Sequence, residues 1–453
     1  MQQKQSDPER TIQFSLPDIT EAEIGEVVDT FRNGWINTGP KTKRLERRLA
    51  AYVETGSNSV DCDTPEGQKQ YENRMVCLNS ATAAEELNLR ILGIGSGDEV
   101  IVPAYTYTAT ASAAIHCGAT VKMVDIQKDG DSETHAPEMD YDALEEAITE
   151  KTKAIIPVDI GGVICDYDRI FEIAERKKSL FRPLDDKSNP LADLSSRIQQ
   201  AMGRVAIVDD AAHAFGAKRK VKRTGAGNLS GYETKQCGAI ADFTSFSFHT
   251  VKNFTTGEGG SSTWLPIPGI DDADIYKYFQ LLSLHGQNKD AMSKLKPGAW
   301  EYDIVGSWYK CNMNDITASI GLQQLNRYPS ILARRREIVG RYDAVCKELG
   351  ISHLIHQTDA MESSYHLYLI RIPDADEAER NHIIEQLAEK GVATNVHYKP
   401  LPMFTAYGKD CSKYPNAYDY YRNLITLPLH TLLSDEDVAY VCEMLRQVNK
   451  IKK

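Results

Sequence analysis

Short apolar runs alternate with helical patterns through the first half of the chain. VIVP at 100–103, TVKMVD at 120–125, KAIIPV at 153–158, VAIVDD at 205–210 and the run over 243–248 each predict a strand. Helices are predicted between them over 107–116, 141–148 and 167–177. Strands that alternate with helices fold as a mainly parallel sheet, covered on both faces by the crossovers.

From 315 to 349 the pattern is helical throughout, with an apolar stripe of Ile316, Ile320, Leu325, Ile331, Leu332, Ile338, Val339 and Val345. Pro329 is expected to kink or divide this helix, and a helix of that length is expected to bridge domains. A strand over 365–372, a helix over 377–390, a strand over 393–397 and a closing helix after Ser434 follow. Ser434 and Asp437 have the spacing of a capping box. Three segments break the rhythm and read as surface insertions. They are 54–74, 180–204 with Pro183 and Pro190, and 219–238 with Gly225, Gly227 and Gly231. The expected organisation is a large domain over 12–306, then the connecting helix and a small α/β domain over 307–453.

Composition narrows the class. At 453 residues the chain exceeds one small core. No apolar run approaches the roughly 18 to 20 residues of a membrane span. The net charge of −12 argues against a nucleic-acid surface or an anionic membrane as partner. Nine cysteines without a CxxC pair fit a reducing compartment and argue against a disulfide framework or a zinc site. MQQKQSDPER at the start has no signal-peptide core. A cytoplasmic globular protein is expected, with no metal.

Ligands of parallel α/β sheets bind at the carboxyl ends of the strands, and four candidate features fall there. MVCL runs into NSATAAEEL, where Thr82 and Glu85 fit a capping box. Such a helix start binds phosphate, or is a plain cap. Tyr107, after VIVPAYT, can stack on a flat ring or pack in the core. Asp210, in IVDDAAHAFGA, can partner a protonated pyridine or cap a helix. Lys252, in SFSFHTVKNFTTGEGG, is a surface lysine or a buried amine able to attack a carbonyl. Ser247 lies within reach of the same phosphate. Together these are the parts of a pyridoxal phosphate (PLP) site.

The chain resembles the sugar-nucleotide aminotransferases of the DegT/DnrJ/StrS family, of aspartate-aminotransferase fold type. The likeness runs in matching order through GWINTGPKTKRLERRLAAY, GDEVIVPAYTYTATA, the Asp-Ala-Ala-His run, SFHTVKNFTTGEGG, NDITASIGLQQL and NVHYKPL. It implies fold type I, with a seven-stranded-type sheet flanked by helices and a small C-terminal α/β domain. It implies that Lys252 holds the cofactor, that Asp210 meets its ring nitrogen and that His213 lies near its phenolic oxygen. By the same resemblance Tyr107 stacks, while Ser80, Ala81, Thr82, Ala83 and Ser247 bind the phosphate. Trp35, Thr38, Asn312, His397 and Tyr398 are the implied substrate contacts. A homodimer with shared sites is implied, in which Lys310 reaches the cofactor phosphate of the neighbouring subunit. The chain departs from the family pattern at Lys310-Cys311-Asn312, where the family resembles Asn-Tyr-Arg. It departs again at Val158-Asp159, where the family often has Val-His.

The implied reaction transfers an amino group, with glutamate as expected donor, to a nucleotide-linked deoxysugar. The acceptor carbon is a 4-keto or, alternatively, a 3-keto carbon. The implied setting is surface polysaccharide or glycoconjugate biosynthesis. Lys252 stands where a dehydrating branch of the family has histidine. A transaminase of a cyclitol ketone, a PLP-dependent lyase or dehydratase, and a non-catalytic PLP-binding regulator are the open alternatives.

Overall fold

The computed structural model describes residues 10–128, 130–222, 231–289 and 301–450. Its strands are β1 Met75–Leu78, β2 Glu99–Pro103, β3 Thr120–Val124, β4 Thr152–Ile155, β5 Ala206–Asp210, β6 Lys218–Lys222 and β7 Tyr232–Gln236. They continue with β8 Phe243–Ser247, β9 Gly260–Trp264, β10 Ser352–His353, β11 Met361–Glu362, β12 Tyr368–Arg371 and β13 Leu424–Leu427. Seven form the central sheet, in the order β1-β9-β8-β5-β4-β2-β3. β9 runs antiparallel between β8 and β1, while β3, β2, β4, β5 and β8 pair in parallel.

Side chains of this sheet enter two apolar layers. Ile101, Ile155, Ile207 and Phe246 join one, and Val100, Val102, Ala154, Val208 and Phe243 the other. Helices cover both layers, which is why the strands read as apolar runs rather than as alternating ones. Burying each large side chain contributes roughly 1.5–3 kcal/mol. The parallel strands therefore end together, at one edge, in a scaffold that cannot readily shift.

The helix Asp315–Leu349 has the predicted bounds. Asn314 caps it by accepting from the Thr317 N–H, and Gly350, at φ 65°, ends it. Pro329 lies inside the helix without dividing it. Leu322, Leu325 and Tyr328 pack into the large core, whereas Ile338, Tyr342 and Val345 pack into the small one. The small core is built on the antiparallel sheet β10-β12-β13 and the helices Glu377–Glu389 and Asp435–Lys450. Ser434 and Asp437 cap the last helix reciprocally. The Ser434 N–H donates to the Asp437 carboxylate at 3.0 Å, and the Asp437 N–H to Ser434 Oγ at 3.1 Å.

Several expectations need correction. Residues 393–397 form no strand; Asn395 alone pairs, in an isolated bridge with Thr426. Segment 180–204 is more than surface decoration. It holds the helix Pro190–Met202, whose Leu194 and Ile198 are fully buried, because its polar sequence conceals one apolar stripe. Segment 54–74 likewise buries Cys62 and Tyr71. In 219–238, β6 and β7 pair as a hairpin that β11 extends; Gly225 and Gly227 lie outside the described residues. Ile12, the expected start of the large domain, pairs with Val392 and joins the small core.

Candidate active site

The segments that follow β1, β2, β5 and β8 open onto one cavity of about 350 Å³. Ser80, Ala81, Thr82, Tyr107, Asp210, His213, Ser247, Lys252 and Tyr398 all line it.

One end is a helix N-terminus. Ser80 caps the helix Ala81–Ile91, its Oγ accepting from the Ala83 N–H at 3.1 Å and its carbonyl from the Ala84 N–H at 3.2 Å. The cap is thus Ser80, not the Thr82–Glu85 pair expected from spacing. Ala83 is set back from the cavity, its N–H already engaged by Ser80. The N–H groups of Ala81 and Thr82 have no partner within the helix and lie at the positive end of its dipole. They suit an anion. Gly260 on β9 lets the backbones close here. A Cβ at that position would stand 2.3 Å from the Ser80 carbonyl carbon and 2.4 Å from the Ala81 nitrogen.

Asp210, at the end of β5, is buried. Its Oδ2 accepts from Thr110 Oγ1 at 2.7 Å and its Oδ1 from the Ala212 N–H at 3.2 Å. Lys252 lies on the turn after β8. The turn is fixed by the Lys252 N–H donating to the His249 carbonyl at 2.8 Å and by the Asn253 amide donating to the Ser364 carbonyl at 2.5 Å. Lys252 is half-buried and lines the cavity. Burial pushes it down to about 8, with the Asp210 carboxylate opposing that fall. A neutral, nucleophilic amine is therefore accessible near physiological pH.

His213 Nδ1 accepts from the Gly161 N–H at 3.2 Å, so the neutral ring carries its proton on Nε2, 3.1 Å from the Tyr398 hydroxyl. Burial, with Lys252 nearby, holds His213 well below the usual imidazole range. The Tyr398 N–H donates to the hydroxyl of fully buried Tyr105 at 2.7 Å. Tyr107 is 58% exposed at the mouth, its ring centroid 5.6 Å from that of Tyr398. His397 lines an adjoining cavity of about 250 Å³ that Lys252 also reaches. Burial and then Lys252 push His397 down to about 4.

The remaining predicted residues gather elsewhere. Trp35 Nε1 donates to the Thr38 carbonyl at 3.2 Å. The Asn312 amide donates to the Thr38 hydroxyl, and the Lys310 ammonium to Asn312 Oδ1. Trp35, Thr38, Asn312 and Lys310 do not line the cavity within one chain.

Sequence reasoning did not assign Thr110, His249 or Glu258 to the site, and it took Glu85 for a capping residue. Thr110 lies in the first turn of the helix Thr108–His116, just past Tyr107, and its hydroxyl is directed inward to Asp210. Behind Asp210, Asp209 meets Asp159 and the Cys237 thiol, which donates to them at 3.6 and 3.7 Å. Burial pushes Asp159 up to about 7 and Asp209 well above its ordinary value.

This donor set fits PLP. N–H groups and hydroxyls suit its phosphate, a carboxylate suits its ring nitrogen, and a depressed lysine suits its carbonyl carbon. Known proteins agree. The model of the DegT/DnrJ/EryC1/StrS aminotransferase family matches residues 67–181 and 193–446. The putative sugar aminotransferase Spr1654 from Streptococcus pneumoniae, solved in a PLP form, is 53% identical with a TM-score of 0.83. The match covers 98% of this chain and 99% of that one. A PMP form of the same protein matches at 54% identity and a TM-score of 0.83, over 97% of this chain and 99% of that one. The spore coat polysaccharide biosynthesis protein SpsC of Bacillus subtilis (strain 168) is 33% identical over 446 residues, 96% of this chain and 97% of its own length.

Proposed function

Because this chain belongs to the DegT/DnrJ/EryC1/StrS aminotransferase family, we propose that it moves an amino group from glutamate to the 4-keto carbon of a nucleotide-linked deoxysugar. It is a PLP-dependent aminotransferase. The observation that carries the reading is the convergence of Lys252, Asp210 and the helix N-terminus after Ser80 on one cavity. The sugar aminotransferase and spore-coat relatives support a carbohydrate acceptor and a role in surface polysaccharide synthesis.

When bound, PLP supplies an electron-withdrawing ring that stabilises charge on the carbon bearing the transferred nitrogen. Asp210, oriented by Thr110 and Ala212, holds a proton at the ring nitrogen. The N–H groups of Ala81 and Thr82, with Ser247, bind the phosphate. Lys252 would hold the cofactor's carbonyl carbon, and its amine, when free, would carry the proton that leaves the donor's α-carbon. Neutral His213, tied to Tyr398, would meet the ring oxygen. His397 and Tyr398 contact the substrate.

The working unit is a homodimer. Ile24, Val28 and Phe31 are exposed at i, i+4 and i+7 on the helix Glu21–Asn33, an apolar stripe suited to a second copy. Trp35, Thr38, Asn312 and Lys310 then complete the neighbour's site. Nine free cysteines support a cytoplasmic setting, and among the described residues no helix is long and apolar enough to cross a membrane.

A panel of nucleotide-linked and free ketosugars, incubated with glutamate and read by mass spectrometry, tests the assignment. Conversion of a nucleotide-linked ketone to an amine is expected. Amination of free cyclitol ketones only, or loss of a hydroxyl without gain of nitrogen, would overturn it.

A further inference from the structure

Glu85 is a carboxyl for which the reaction above has no role. It lies just past the first turn of the helix Ala81–Ile91, is 1% exposed and lines the same cavity as Asp210 and Lys252. No donor group reaches either of its oxygens, and the group within hydrogen-bond reach of them is the Asp210 carboxyl. Its electrostatic neighbours are Asp210 and Asp209, both acids on β5. A buried carboxylate among acids, with no cation beside it, is costly, so such a group keeps its proton. Burial first, and Asp210 second, hold Glu85 well above the ordinary carboxylate range.

Asp210 is the complementary half of the pair. Each of its oxygens accepts one hydrogen bond, from Thr110 or from Ala212, and each has a lone pair left. We propose that Glu85 is a positioning residue: an un-ionised acid that turns its O–H to Asp210 and fixes the one anion facing the ring-nitrogen end of the cavity. The inference rests on the reading of Asp210 given above. A donor on the helix side stops the Asp210 carboxylate from rotating away from the ring. It also spreads part of the charge carried by Asp210.

The first measurement needs neither cofactor nor substrate. An infrared difference spectrum of apoprotein, parent minus Glu85→Gln at neutral pH, is expected to show the carbonyl stretch of one un-ionised carboxylic acid. A carboxylate band in its place would overturn the proposal. The second measurement is PLP affinity together with glutamate turnover. Glu85→Leu, which fills the space without a donor, is expected to weaken both roughly tenfold. Glu85→Gln, whose amide N–H donates from the same position, is expected to recover both to within about threefold of the parent. A Gln variant no better than Leu would sink the idea. Should Glu85→Leu fail to fold, the infrared result decides. Failure of the parent protein to bind PLP would overturn the aminotransferase site and leave the infrared result standing on its own.

Discussion

The hydroxyl of Tyr398 lies 3.1 Å from Nε2 of His213, a contact across 185 residues of sequence. Tyr398 comes from the C-terminal part of the chain and His213 from the loop after β5, so the bond ties the small domain's approach to the wall of the cavity. Tyr398→Phe leaves a buried N–H without its partner. A loss of about 1–3 kcal/mol is expected, read as a lower denaturant midpoint at unchanged m-value, with a raised KM for the sugar.

Lys252 is the expected point of attachment. Borohydride treatment of the PLP-loaded protein should fix the cofactor to the peptide containing Lys252, and Lys252→Ala should abolish both label and turnover. Attachment needs the neutral amine. Its rate in apoprotein should therefore rise with pH to a plateau just above about 8, well below the ordinary lysine value of 10.5. Asp210 opposes the depression, so Asp210→Asn should move the midpoint lower still.

Asp210→Asn should still bind PLP through the helix N-terminus and Lys252. Without an anion at the ring nitrogen, turnover should fall by orders of magnitude. Activity within a few-fold of the parent would exclude Asp210 as the ring partner and turn attention to Asp209.

Asp159 is a stability liability with a known sign. Its folded value, about 7, stands above its ordinary 3.8. The folded state thus holds the proton more tightly, and stability falls as pH rises across that window. Asp159→Asn removes the cost and keeps an oxygen for the Cys165 N–H, which now donates at 2.9 Å. Thermal scans should show a gain of a few degrees at pH 8 and little change at pH 4. An equal shift at both values would contradict the buried-acid account.

Shared sites predict complementation. Lys252→Ala and Lys310→Glu, each inactive and dimeric, should on mixing form heterodimers with one site bearing both lesions and one bearing neither. Random reassortment of equal amounts should restore up to about a quarter of parental activity. If mixing restored nothing, Lys310 would act within its own chain or not at all.

Much of the fold was legible because its signals are periodic or local. The helix Asp315–Leu349 could be bounded to the residue, since its stripe is continuous, Asn314 is a good cap and Gly350 is a good stop. The Ser434–Asp437 cap was legible for the same reason. β9 was not, because GSSTW is short, small and polar and draws its burial from its neighbours. The run over 393–397 looked like a strand, yet only Asn395 finds a partner in the sheet. At the site, Asp210 and Lys252 announced themselves by sitting after apolar runs. Spacing chose Thr82 as the cap because it has a Glu three residues on, whereas the chain uses Ser80 and buries that Glu. Charge in a helix reads as solvent-facing unless the tertiary structure turns it inward.

Gly260 has a consequence for how this site can change. The start of the phosphate-end helix rests main chain on main chain against β9, with no room for even a methyl group between them. Its closeness to β9 rests on the absence of a side chain at Gly260. The walls of the cavity, at Tyr107, His249, Val251 and Tyr398, can be redrawn residue by residue while the floor stays level. A lineage exploring new acceptors would alter the shape of the room without moving this foundation.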